Sequence, residues 1–193
     1  MRELRTAAVA VSALTVILGL AYPLAMTGAS QVLFPRAADG SLVRHDGRVV
    51  GSRLIGQDFA KDPSLFQSRP SATKYAGDAT FFNNQGPNQR ALADQLKAKL
   101  AVYLKRERPF TPGLRAAAVP GDAVTTSASG IDPQISYANA AIQANRVARE
   151  RGLTRRRVMA FVDAHGSRPL FGLAGERSVN VLELNLALEA VGR

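Results

Sequence analysis

The 193-residue chain contains no cysteine. That absence removes disulfide staples, thiol nucleophiles and thiolate-ligated zinc together, and it suits an exported, disulfide-free protein as well as a cytosolic one. Histidine is nearly missing too. Only His45 and His165 are present, whereas most metal and acid/base chemistries draw on more imidazole than this. Acidic residues are outnumbered, 15 against 25 Lys and Arg, for a formal charge of +10. Such a balance attracts nucleic acid, anionic lipid or an acidic partner protein, but says nothing about fold. The sequence has no internal repeat and no low-complexity tract.

Charge of either sign is absent between Arg5 and Arg36, where the chain reads "TAAVAVSALTVILGLAYPLAMTGASQVLFP". About 20 apolar residues suffice to cross a bilayer. A secretory signal core is usually only about 7–15 residues, so this run predicts a retained membrane helix rather than a cleaved signal or a buried soluble helix. Tyr22 and Phe34 suit the membrane interface, and Pro23 and Gly28 are tolerable inside such a helix. No second stretch approaches this length. The chain therefore divides into an anchor over residues 1–35 and a folded part over 36–193. Arg2 and Arg5 precede the span, while Arg36, Arg44, Arg48 and Arg53 follow it. Counted naively, that places the C-terminal side in the cytoplasm, but long domains translocate largely regardless of charge, so topology stays open at this point.

The remainder reads as mixed α and β, with helix in the majority. "RVVGSRLIGQDF" reads as a short strand with glycine breaks. "KDPSLFQSRPSATKY" reads as a helical turn followed by extended chain, and "GDATFFNNQGPNQ" as a loop whose Phe81 and Phe82 need cover. Leu92, Leu96, Leu100 and Tyr103 repeat at helical spacing, with Asn88 as the expected N-cap and Pro109 as the stop. Alanine-rich "YANAAIQANRVARERG" predicts a helix capped by Ser136 and closed by Gly152. A second helix starts at Thr154, with Leu153 and Val158 at staple positions and Phe161 and Val162 on its apolar face. In the last helix Asn180 and Glu183 resemble a capping box, and Leu184, Ala187, Leu188 and Val191 form the apolar stripe. Asn185 and Glu189 lie four apart on one face of it. "RPLFGLAG" between these helices is a candidate strand.

The most suggestive site is "VTTSASGIDPQIS", with Thr125, Ser127, Ser129, Gly130 and Asp132 as candidate nucleotide or partner contacts. A phosphate loop needs glycines that let N–H groups converge, and a Walker A loop adds a lysine. This stretch has no lysine and one glycine. The simpler reading is an extended, half-exposed segment, a glycine turn and an Asp-Pro turn that launches the next helix. "RVARERGLTRRR" holds six arginines but lacks the interleaved aromatics that stack on bases. It reads as solvated or partner-facing surface rather than a nucleic-acid site. His165 reads as a helix-end group, because no orienting network for a catalytic base accompanies it. His45 reads as an exposed turn residue.

Four stretches together carry a family resemblance. "TTSASGIDPQIS" is similar to the Thr-x-Ser-x-Ser-Gly-Leu-Asp-Pro-x-Ile-Ser signature of the C subunit of the bacterial Kdp potassium-transporting P-type ATPase. "GSRLIGQDF", "FQSRPSAT" and "GERSVNVLELNLAL" match in the same order, behind a single N-terminal span. Ala128 and Gln134 depart from the family's usual Gly and His, and the loop from Phe81 to Gln89 diverges. The resemblance implies an α+β, helix-rich domain on the outer face of the bacterial inner membrane, with the N-terminus cytoplasmic. It implies an accessory subunit without catalytic residues of its own, assembled with a channel-like A subunit, a P-type ATPase B subunit and a small F subunit, near the external ion entrance. The family is also proposed to raise the ATP affinity of the B subunit, which places ATP at the level of the complex. The contrasting reading of the residues alone is a stand-alone nucleotide-binding module or enzyme built on "TTSASGIDP".

Overall fold

A computed structural model of the chain describes residues 1–79, 85–167 and 175–191. The N-terminal run is one helix from Arg2 to Leu33, 32 residues long, apolar enough to cross a membrane and with none of its apolar window buried. It comprises α1 (Arg2–Val16) and α2 (Tyr22–Leu33), joined by a wide π-helical turn over Ile17–Ala21. Pro23 has no N–H to offer the carbonyl four residues earlier, and a wide turn just upstream accommodates that missing rung.

Phe34 leaves the helix, and a short turn, α3 (Pro35–Ala38), leads directly into a hairpin of β1 (Leu42–His45) and β2 (Arg48–Ser52). The strands pair antiparallel, with Leu42 opposite Ser52 and a bulge after Val43. The expected strand is β2. Its partner β1 makes His45 a strand end, 3.6 Å from Asp46, and the turn itself falls on Asp46 and Gly47, both at positive φ.

Helix α4 (Arg90–Glu107) carries the predicted apolar repeat, and only its C-terminal part is buried, at Tyr103, Leu104 and Glu107. Gln89, not Asn88, occupies its N-cap, with no side-chain cap bond. Two three-residue strands, β3 (Gln134–Ser136) and β4 (Ser178–Asn180), pair antiparallel. Each runs straight into a helix: α5 (Tyr137–Glu150) after β3, and α7 (Val181–Glu189) after β4. Between them α6 (Arg155–Ala164) packs against α5.

The three helix starts are capped as expected. Ser136 accepts from the Asn139 amide, Thr154 from Arg157 and Asn180 from Glu183. Gly152, at φ +64°, closes α5 in a conformation that costs other residues energy. The main core joins Ile135, Val147, Val158, Val162, Val179, Leu184 and Leu188 around Phe66, which is fully buried on an irregular segment. A second cluster gathers Tyr103, Leu104, Leu114 and Ala123. The candidate strand "RPLFGLAG" and the pair Phe81 and Phe82 lie outside the described residues, except that Gly175 is at positive φ.

Phe66 joins an otherwise helix-and-strand core, so its truncation should open a cavity that nearby backbone cannot refill. Phe66→Ala is expected to cost about 3–5 kcal/mol, read as a lower thermal midpoint by circular dichroism of the detergent-solubilised chain. A loss below about 1 kcal/mol would show that this segment is not part of the core.

Candidate functional site

The segment from Ser64 to Gln67 belongs to no strand, yet it is buried, with exposed Pro63 just before it. Buried backbone groups must find partners, and here side chains supply them. Asn185 on α7 accepts from the Phe66 amide at 2.8 Å and donates to its carbonyl at 3.0 Å. Gln143 on α5 does the same for Gln67, at 2.7 and 3.2 Å. Arg146 donates to the carbonyls of Pro63 and Leu65, and Arg151 donates to that of Ser64 at 2.8 Å and to that of Leu188 at 3.0 Å.

These contacts correct the expectation that the whole arginine run is surface. Arg146 is 1% exposed and Arg151 is 6% exposed. The charge on Arg146 is compensated by Glu107, whose carboxylate is fully buried and lies 3.1 Å from Arg146 Nε and 2.7 Å from Arg106 Nε. Burial lowers the pKa of Arg146, and Glu107 opposes that shift. Asn185 is buried while Glu189 is exposed, so the two do not share a solvent face. The network continues through Gln143 to Asn139, which accepts from the Tyr103 hydroxyl at 2.9 Å and donates to Asp122. Burial first, and then the Glu107 charge, push the Tyr103 phenol above its ordinary pKa.

Around this network the four signature stretches interlock. Gly56 donates to the Ile131 carbonyl at 2.7 Å, and a Cβ on Gly56 would sit 2.5 Å from the Asp132 carbonyl oxygen. Arg69 Nη1 reaches Asp132 Oδ2 at 2.8 Å, and Nη2 reaches Thr125 Oγ1 at 3.3 Å. Ser71 donates to the Gly130 carbonyl at 2.6 Å. Gly130 has φ +72°, and a Cβ there would meet Thr73 Oγ1 at 2.7 Å. Val181 donates to the Pro133 carbonyl, and Asn180 Nδ2 donates to the Arg53 carbonyl. Arg53 also pairs with Glu183 at 2.7 Å.

The candidate residues therefore lie on one loop with several different partners. Thr125 Oγ1 donates to the Gly121 carbonyl, and Ser129 Oγ accepts from Ile131 N. The Ser127 carbonyl accepts from Gly130 N, and Asp132 Oδ1 accepts from Gln134 N while Oδ2 meets Arg69. The segment before Gln134 is a series of turns and bends, not the extended chain its alternating hydroxyls suggest. His165 closes α6, with Nδ1 3.0 Å from the Phe161 carbonyl oxygen. Its neighbour Asp163 pairs instead with Tyr137 and Arg177. Among the described residues no three His, Asp or Glu side chains gather as metal ligands.

These features define a class: an α+β protein of small paired strands and helices, locked by loop-to-loop contacts, behind one membrane-length helix. The family described as "K+-transporting ATPase, c chain" matches residues 4–190. The chain is 50% identical over 193 residues to a potassium-transporting ATPase KdpC subunit of Caulobacter vibrioides, covering 98% of this chain and 94% of the relative. It is 52% identical over 190 residues to the one from Variovorax paradoxus, covering 97% and 95%. It is 47% identical over 204 residues to the one from Rhodopseudomonas palustris, covering 98% of both. The chain belongs to the family of potassium-transporting ATPase C subunits.

Two outcomes test the network. Glu107→Ala leaves Arg146 buried without its carboxylate and should cost about 3–5 kcal/mol. In a double-mutant cycle with Arg146→Met, read by urea unfolding, the two losses should fall short of additivity by about 1 kcal/mol or more, and strict additivity would refute the pairing. The Tyr75 phenol donates to the Arg69 carbonyl at 2.6 Å. Burial, and then Asp58, raise its pKa to about 12, above the roughly 10 of an unfolded tyrosine. The folded state thus keeps this proton longer. Its contribution is complete below about pH 10 and is lost as pH rises toward 12. Tyr75→Phe should flatten the fall in stability between pH 10 and 12, and an unchanged slope would contradict the assignment.

Proposed function

We propose that this chain is a non-catalytic accessory subunit of an ATP-driven potassium uptake pump, stabilising the complex and acting near its external ion entrance. The observation that carries this reading is the interlock of the signature stretches. The residues matching the family meet one another at carbonyls, glycine contacts and ion pairs, and they form an interlocked body that follows a membrane-length helix in the chain. An assembly subunit needs a body of this kind.

In this reading residues 1–35 anchor the chain in the bacterial inner membrane and residues 36–193 fold on its outer face, with the N-terminus cytoplasmic. The partners are the channel-like A, ATPase B and small F subunits. A body outside the membrane cannot touch a cytoplasmic nucleotide. Any gain in ATP affinity then passes through the membrane subunits, by an element with two discrete states. The loop of Thr125, Ser127, Ser129, Gly130 and Asp132 acts as a structural clasp. Engagement of Thr125 and Ser129 by backbone, and of Asp132 by Arg69, supports a clasp over a nucleotide cradle.

A C-terminal alkaline phosphatase fusion should be active and a green fluorescent protein fusion dark. The reverse pattern would put the body in the cytoplasm and favour the nucleotide-binding reading. The tagged chain should also co-purify with a channel-like and a P-type ATPase subunit, and failure to do so would sink the proposal. Ser129→Ala should leave the pump's KM for ATP unchanged, whereas a tenfold rise would assign the loop to nucleotide.

A further inference from the structure

The hairpin that follows the long helix has an exposed face of aliphatic and cationic side chains. Leu42, Val49 and Leu54 are 52%, 48% and 60% exposed. Arg44 and Val49 are direct cross-strand partners, and both are exposed. Arg36, Arg44 and Arg48 make no ion pair among the described residues. The nearby acids are already engaged: Asp39 accepts from Gln31, Asp46 lies by His45, and Glu183 holds Arg53. The adjacent register pair, Val43 and Gly51, lies on the protein side, where a Cβ on Gly51 would meet Leu182. The exposed face thus carries Leu42, Arg44 and Val49, with Arg36 on α3 just before it.

Its position is fixed by the helix. The helix carries 28 uncharged residues from Thr6 to Leu33, which at about 1.5 Å each is about 42 Å, close to a bilayer with its headgroups. The chain then has no slack. Ser41 N bonds the Arg36 carbonyl, Gln31 Nε2 reaches back from α2 to Asp39, Ser52 Oγ bonds the Gly40 carbonyl, and Arg53 N bonds the Ser41 carbonyl. The hairpin is tied at its base to the point where the helix leaves the hydrocarbon, and interfacial aliphatic and cationic groups suit that depth.

We propose that the exposed face of the β1–β2 hairpin rests on anionic phospholipid headgroups at the C-terminal end of the span. Arg36 and Arg44 meet phosphates, and Leu42 and Val49 enter the headgroup layer. The inference rests on the reading of Arg2–Leu33 as a membrane helix. The hairpin then acts as a foot that sets the tilt of the folded body against the bilayer.

The absence of cysteine allows single-site labelling of the full chain. Nitroxides are placed at Leu42→Cys and Val49→Cys, with Asp94→Cys on α4 as a water-exposed reference, in vesicles of phosphatidylcholine with phosphatidylglycerol. Vesicle flotation is measured in the same samples. The hairpin labels should collide preferentially with oxygen and the reference label with a water-soluble nickel complex. Arg36→Gln with Arg44→Gln, or pure phosphatidylcholine, should reduce the lipid-seated population, by about fivefold for each arginine replaced. Hairpin labels as open to nickel as the reference, in chains that float, would overturn the proposal. So would labels protected from both reagents, or spin–spin broadening from a second copy, because protein rather than lipid would then cover the face. Chains that fail to float would overturn the membrane-helix reading itself, and this inference with it.

Discussion

The folded body depends on side chains doing the work of a missing strand. The backbone from Ser64 to Gln67 crosses the interior without a ladder. Asn185, Gln143, Arg146 and Arg151 answer its carbonyls and amides one by one. A buried amide or carbonyl left open costs about 1–3 kcal/mol, so each of these residues is tied to the segment as firmly as the segment is to them. The apolar contacts follow from that placement. Phe66 reaches the centre of the core only because Asn185 holds both polar groups of its backbone. Glu107 is fully buried because Arg146 must be there to serve Pro63 and Leu65.

Local signals in the sequence proved readable where local chemistry decides the outcome. Ser136, Thr154 and Asn180 cap helices with their own side chains, and Gly152 ends one at positive φ. These features need only the next few residues. The long helix was equally plain, because thirty uncharged positions have few other uses. Strands β3 and β4 were not legible. Three residues are too few for alternation to register, and each strand runs into a helix that dominates the pattern.

The arginine run shows what sequence spacing leaves out. Arg146 and Arg151 sit among Arg149, Arg155, Arg156 and Arg157, and nothing nearby distinguishes them. Their partners lie some eighty positions away at Pro63, Ser64 and Leu65. Composition gave the charge, but only the tertiary course of the irregular segment decides which guanidinium groups are buried. The signature loop shows the converse. Its motif was recognisable, but the partners of Thr125, Gly130 and Asp132 become visible only beside Gly56, Arg69, Ser71 and Thr73.

The clasp between Phe66 and Asn185 also governs when the body can form. Its two residues are 119 positions apart, and the bond from Asn180 to the Arg53 carbonyl spans 127. Contacts of such long range close late and slowly, so the polar groups of Phe66 and the Arg53 carbonyl wait for α7 even after α5 has met the rest of the Ser64–Gln67 segment. Until then Phe66 lacks the cover of α7, which makes the half-made chain prone to aggregation. Anchoring the first helix early would confine that vulnerable interval to a surface, where neighbouring chains are fewer than in bulk solution.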